Sequence, residues 1–435
     1  MNQSSNGTTG PTVARPRRRS WRLSVRGLMV LVLVVGGVLG WKARRASVQR
    51  RAVETIKAAG GMVAYDYQTL PNDQYQLGAS PPTPRWIRER LGDELFQEVV
   101  AVRVGDYRRE RLKAEAESLA ALPGFDRLCR LTLFGFPLRD PELTRLTTLS
   151  SLEALELFSL GWNQPDQFTA LPPLQAMTRL TSLRISPSPT DDAGLRFLRG
   201  LDSLNSVDLE QTEVTDASLA VLVPLPKLGT VKFDGSKLTD AGLAELAKIR
   251  SLGTLHLLTP GRTALYTDQR LAHLSKISYL SDLAIDATNI TAAGYQVLRG
   301  DHLFNLHLTG LSSNHEDLVR LVGRQSHQML KLSGSGMTDE WLRYLSAPAL
   351  QLGRLELNDT NVTDAGMAQI VKHSLLQNLA LDATALTDAG LLRLAAAPAL
   401  RSISARGTKV TPAGVAAFLA VHPAVAIEIG PLPPK

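Results

Sequence analysis

Histidines and carboxylates recur along this chain at intervals of about two dozen residues, so their chemistry is that of rows rather than of a single cluster. One row runs Asp208, Lys232, His256, Ala284, His307, Lys331, Glu356, Ala380, Ser404, and another, two residues further on in each case, runs Glu210, Asp234, Leu258, Asp286, Thr309, Ser333, Asn358, Asp382, Arg406. Carboxylates aligned in this way would receive a basic peptide or a cationic ligand, and charge complementarity would set partner choice and on-rate. The competing reading is a solvated face. His256 and His307 fall two units apart, roughly 10 Å if the units are neighbouring strands, and a metal there would need a third ligand such as Asp286. That arrangement is the weaker one, and no metal or cofactor is expected. No phosphate-cradling Gly-rich loop, His-Glu-x-x-His or nucleophile elbow occurs, so no catalytic residue is assigned.

The elements that must position these rows follow from the period. Apolar-x-apolar triplets begin at Leu131, Leu155, Leu183, Val207, Val231, Leu255, Leu283, Leu306, Leu330, Leu355, Leu379, Ile403 and Ile427, 23 to 28 residues apart, and Val102 lies 29 residues before the first. A phrase close to Thr-Asp-Ala-Gly-Leu follows most of them, most clearly from Thr239, Thr363 and Thr387. Alternation in the triplet reads as a short strand, and the spacing after the phrase reads as helix. Such a unit cannot bury both its strand face and its helix stripe alone, so units must stack and share one core. Strands repeat at roughly 4.8 Å and helices at roughly 8 to 10 Å, which bends the stack with the strands inside. In the phrase, Thr suits a helix N-cap, and the Asp residues (Asp216, Asp240, Asp364, Asp388) are expected to face the positive end of the helix dipole.

On these residues the chain resembles the leucine-rich repeat family, in the subtype found in ribonuclease-inhibitor and F-box-type repeat proteins and in membrane-anchored bacterial repeat proteins. The resemblance implies an α/β solenoid with a curved parallel sheet inside and helices outside, over residues 99–430. It also implies a non-enzymatic protein that binds a protein or surface polymer through its concave face, with Asp208, Glu210, Asp234, His256, Asp286, His307, Asn358 and Asp382 as the contact residues. A ubiquitin-ligase-type substrate adaptor and an enzyme-regulating subunit are the alternatives. The usual Asn or Cys after the strand is Thr or Ser here (Thr212, Ser236, Thr288, Ser335, Thr360, Thr384, Thr408), and a hydroxyl there would bond to nearby backbone.

Charge narrows the partners. The net charge is +7, but residues 1–60 hold 12 bases and one acid, leaving 36 bases against 40 acids in the rest. The array is net acidic, which argues against nucleic acid. Cys129 is the lone cysteine, so no intramolecular disulfide forms, and its place beside Leu131 suggests a buried packing thiol.

At the amino end, residues 1–26 read as a disordered basic cytoplasmic arm and 27–41, uncharged from Gly27 to Trp41, as a transmembrane signal anchor. Fifteen residues give about 22 Å of helix against a hydrocarbon core of roughly 30 Å, so a cleaved signal and a buried helix remain alternatives. Trp21 and Trp41 are placed as interfacial anchors. The expected localisation is a single-pass membrane protein with an extracytoplasmic array. Residues 42–98 read as a linker helix and a small α/β N-terminal cap, with a charged helix from Ala43 to Ala59, a strand from Met62 to Tyr67 and a helix from Trp86 to Glu98. Residues 431–435 form a tail. The oligomeric state is open.

Overall fold

A computed structural model describes residues 25–68, 76, 79–91, 93–105, 112–135, 144–158, 172–188, 190–258, 266–298, 303–324, 326–346 and 350–432. The arm before residue 25, the insertion around Trp162 to Asp166, and Pro260 to Leu265 lie outside them.

Every triplet named above falls on a strand. Among the described residues one sheet of fifteen strands runs in chain order, with every neighbour parallel except the first pair. Its strands are β1 (Met62–Tyr65), β2 (Val99–Val104), β3 (Arg130–Phe134) and β4 (Ala154–Phe158), followed by strands beginning at Ser182, Ser206, Thr230, Thr254, Asp282, Asn305, Met329, Arg354, Asn378, Ser402 and Ala426. Val102 pairs with Leu131, Leu131 with Leu155, Leu283 with Leu306 and Ile403 with Ile427, so the apolar position opening each triplet forms one unbroken row across the sheet. Leu131, Leu155, Leu183, Leu255, Leu283, Leu306, Leu330 and Leu355 are fully buried. At about 1.5 to 3 kcal/mol for each buried aliphatic side chain, this row is the continuous core the units share. The fold is therefore an α/β solenoid of the leucine-rich repeat kind.

Helices between strands are short. From Asp240 onward most units hold an α-helix of four to ten residues, whereas Pro172–Ala176 and Arg196–Leu198 are 3-10 turns. A unit of this length leaves little chain after the strand and its turn, so one or two turns of either kind suffice to bury the Leu stripe.

The Thr-Asp-Ala-Gly phrase serves the stack itself. Thr239, Thr291 and Thr387 cap their helices by accepting the N–H of the residue two positions on. Asp216, Asp240 and Asp388 lie in the first turns of their own helices, as expected, and Asp also does something more. Asp364 accepts the N–H of Thr387 at 2.8 Å and its hydroxyl at 2.5 Å, Asp388 takes both donors of Thr411 at 2.7 Å, and Asp268 takes those of Thr291 at 2.8 and 2.6 Å. Asp192 and Asp339 repeat the arrangement with Thr215 and Thr363. The Asp of one unit thus holds the helix cap of the next, a charge-assisted pair of bonds directed between units. Gly is required because the previous carboxylate occupies its side-chain space: a Cβ at Gly242, Gly294, Gly390 or Gly414 would lie 2.0 to 2.1 Å from that Asp Oδ1.

The interlock lapses in the longer unit, where Asp240 pairs instead with Arg270 at 3.0 Å, and at Ala292, which has no carboxylate to offer. In the last phrase Pro412 stands in the Asp position, where no later cap among the described residues requires it.

The amino-terminal expectations need three corrections. No helix among the described residues is long and apolar enough to cross a membrane, so the transmembrane helix expected at 27–41 is not found. The apolar run and the linker form one unbroken helix, α1 (Val25–Ala58), because no residue between Trp41 and Ala43 interrupts helical geometry; Gly60, at φ 79°, ends it. The helix expected from Trp86 to Glu98 is the shorter α2 (Arg85–Leu91) and a 3-10 turn, Asp93–Leu95. The second half of α1 buries Ala52, Val53 and Ile56 in the first layer of the core, closing that end of the stack. Cys129 is half-buried rather than buried; burial, then the Glu153 carboxylate, raises its thiol pKa, while its Sγ donates to the Arg127 carbonyl at 3.3 Å.

Candidate binding surface

Residues between the two buried positions of each triplet project from the face of the sheet away from the helices. On this open face neighbouring units pair their own charges. Arg184 lies 3.3 Å and Lys232 3.9 Å from Asp208 Oδ2, and Lys331 at 3.4 Å and Arg354 at 2.6 Å share Glu356. His256 Nε2 meets Asp282 Oδ1 at 3.0 Å, and Asn305 donates to the other oxygen at 3.2 Å. Burial pushes the Asp282 pKa upward, but hydrogen bonds from His256 and Asn305, with the charge of His256, hold it below the usual carboxylate value.

His307 lies one strand beyond Ala284, which is fully buried, so no open notch separates the two histidines. Burial, then the charges of Lys331 and His256, pushes the His307 pKa down to about 3, which leaves its ring neutral at physiological pH. No group of three His, Cys, Asp or Glu side chains among the described residues is arranged to hold a metal ion.

The second row is not a free acidic stripe. Asp234 accepts the N–H and hydroxyl of Ser236 at 3.0 and 2.7 Å; Asp286 accepts the Thr288 N–H at 3.1 Å and the Thr309 hydroxyl at 3.2 Å. Asn358 accepts the Asp382 N–H at 2.8 Å, and Asp382 accepts the Ser404 hydroxyl and Arg406 N–H at 2.6 and 2.7 Å. These groups fasten the turns after their strands. Glu210 is the exception: its backbone N–H donates to Asp208, and burial, then the Asp208 charge, raises its carboxyl pKa. Thr212, Thr360, Thr384 and Thr408 each donate to the carbonyl three residues earlier, as the departure from Asn allowed.

Of the eight expected contact residues, Asp208 and Glu210 stand together beside Lys232, and Asn358 and Asp382 are directly bonded, while the rest are spread along the sheet, His256 and His307 in one row and Asp234 and Asp286 in the other. Sequence reasoning missed Asp282 and Arg354 and did not single out Glu356 from its row, and it also missed a stack on β2 to β5 (Ser182–Ile185). There Phe134 and Phe158 lie parallel at 4.6 Å, with Arg103 over one ring at 4.5 Å and Arg184 over the other at 4.7 Å. Phe at the same place in two successive units was the available signal. Near the far end, Ala380, Ser402 and Ser404 are small, and a depression of about 250 Å³ opens between Arg354 and Glu428.

A one-sided row of polar side chains on a rigid parallel sheet defines the chain as a repeat solenoid with an extended display face. No family model matches the chain, and no curated protein matches it. Among solved structures it is similar to an internalin from Listeria monocytogenes, with 16% identity, 78% of this chain and 87% of that chain covered, and a TM-score of 0.34. It is similar also to an internalin C2 from the same organism, with 16% identity, 59% and 82% covered, and a TM-score of 0.26.

Proposed function

We propose that this protein is a non-enzymatic binding protein that holds a protein partner, or a surface polymer, along the open face of its sheet. The observation that carries this reading is the continuous in-register row of outward side chains from β2 to the last strand, held by a shared core so that little ordering is needed on binding. Charges on that face alternate in sign and pair with each other, which suits a partner of matching mixed charge better than a uniformly basic chain or nucleic acid. The depression between Arg354 and Glu428 is of a size to seat one partner side chain. The contact residues on this reading are Asp208, Glu210, His256 and His307, with Lys331, Arg354 and Glu356 added; Asp234, Asp286, Asn358 and Asp382 shape the turns beside them.

Association of residues 27–41 with a membrane, without the crossing helix that is not found, and an extracytoplasmic array belong to the same proposal. They are supported by exposed Leu28, Met29, Val32, Leu33, Leu39 and Trp41 in the first half of α1. A membrane-impermeant crosslinker applied to intact cells is expected to join the array to a saturable partner. The double variant Lys331→Glu/Arg354→Glu should reduce that product about tenfold, equivalent to ~1.4 kcal/mol, whereas Lys248→Glu/Lys372→Glu on the helical side leaves it unchanged. A product that forms only after lysis contradicts the orientation, and one indifferent to which face is altered contradicts the binding surface.

A further inference from the structure

Where α1 leaves the cap, its surroundings carry a distinct chemistry. Before this point the helix is exposed on every side: Val30, Leu33 and Val34 are all more than half exposed, and a Cβ added at Gly36, Gly37 or Gly40 would touch nothing. A protein groove takes one face of a helix and leaves a polar face to water, whereas a helix apolar all round matches lipid. At the junction, Trp41 is 59% and Phe96 44% exposed, and both line one depression with Lys42 and Arg127. A second depression on the other side of Arg45 is bordered by Trp41 and Arg44.

The cations of this junction divide into two groups. Arg45 is committed to Glu98 at 2.9 Å and Asp126 at 2.5 Å, and Arg50 to Glu94 at 3.2 Å. Lys42, Arg44 and Arg127 make no ion pair among the described residues. Two exposed aromatics and three cations without an ion pair among the described residues therefore stand at the end of an apolar helix, and they outnumber Asp66, the carboxylate left over there beside the paired Glu94 and Glu98. The amphipathic Trp ring sits at headgroup depth, an exposed Phe ring gains by leaving water for the apolar boundary beside it, and cations there are attracted by anionic lipid.

We propose that Trp41, Lys42, Arg44, Phe96 and Arg127 form a collar that docks on the anionic headgroup layer of a bilayer, with the apolar half of α1 embedded beyond it. This rests on the membrane reading above and adds to it a contact made by the folded cap. Because α1 continues without a break from the apolar half into the core under β1 and β2, the collar holds the first strands of the sheet at the membrane surface and the array does not swivel on its tether.

The test uses the full chain with Cys129→Ser and Phe96→Cys, labelled at residue 96 with a polarity-sensitive fluorophore. It is mixed with vesicles of phosphatidylcholine alone or with about a third phosphatidylglycerol, at low salt. Flotation reports the tether, and the fluorophore reports the collar. The chain is expected to float with both vesicles, while the fluorophore shifts to the blue and is quenched by a headgroup spin label only on the anionic ones. Lys42→Gln/Arg44→Gln/Arg127→Gln should weaken that response about tenfold with flotation kept. Flotation without a response at residue 96, or a response unchanged in the triple variant, overturns the collar and leaves the tether standing. Failure to float with either vesicle overturns the membrane reading itself.

Discussion

Gly242→Ala is expected to destabilise the array by about 2 to 4 kcal/mol, a large loss for a change of one methyl group. The new Cβ would lie 2.0 Å from Asp216 Oδ1, in the space that carboxylate fills. Asp216 takes the Thr239 N–H at 2.9 Å and the Thr239 hydroxyl as well, so displacing it releases two charge-assisted bonds and the cap of the helix Asp240–Leu246. Asp216→Ala alone should cost a similar amount for the same bonds. The double variant should then cost little more than either, because the methyl group no longer meets a carboxylate. Urea unfolding of the four proteins checks this; fully additive losses would show that the Gly and Asp positions do not share one piece of space.

Acidification from pH 6.5 to pH 4 should remove several kcal/mol through histidines that the fold keeps neutral. His327 is fully buried, with its Nδ1 bonded to the Leu303 carbonyl at 2.9 Å and Tyr295 Oη 3.3 Å from Nε2, and burial lowers its pKa to about 4. His307 is lowered to about 3, and burial lowers His373 as well. A histidine whose folded pKa lies below its unfolded value of about 6.5 contributes stability that is complete above pH 6.5 and is lost as pH falls toward the folded value. At ~1.4 kcal/mol per pH unit between the two values, His327 alone accounts for about 3 kcal/mol by pH 4. Carboxylates of the interlock act in a separate, lower window: the N–H and hydroxyl of Thr411 hold the Asp388 pKa below its usual value, so its contribution persists to more acid pH. Melting temperatures of the parent protein and His327→Gln across pH 4 to 7 distinguish the two, since the variant should lose much of the slope above pH 4. An unchanged slope would contradict the assignment.

The array was legible because its signals are local and repeated. Strand positions from Leu131 to Ile427 follow from two-residue alternation at a fixed period, and all of them fall in one register. The roles of Asp and Gly in the repeated phrase were not, since each acts on the neighbouring unit and intra-unit propensity explains Asp equally well by the helix dipole. The same limit applied to Asp234, Asp286 and Asp382: outward position was readable, but the donors that claim them, Ser236, Thr288, Thr309, Ser404 and the Arg406 N–H, depend on turn geometry. Asp282 was passed over because it precedes its triplet, although its carboxylate reaches His256 on the preceding strand. At the amino end the run from Gly27 to Trp41 was visible, and its continuation into one helix with the cap depended on packing that no period announces.

The stack of in-register strands with one open face can be tested by paired cysteines in a Cys129→Ser background. Ala380 and Ser404 are register partners on adjacent strands, while Lys331 lies two strands from Ala380, with Glu356 between them. Neighbouring parallel strands place such Cα atoms roughly 4.8 Å apart, within disulfide range, and strands two apart place them near 10 Å, outside it. Mild oxidation should close Ala380→Cys/Ser404→Cys rapidly and leave Lys331→Cys/Ala380→Cys reduced. A slow or absent bond in the first pair, or a fast one in the second, would contradict the geometry on which the binding surface rests.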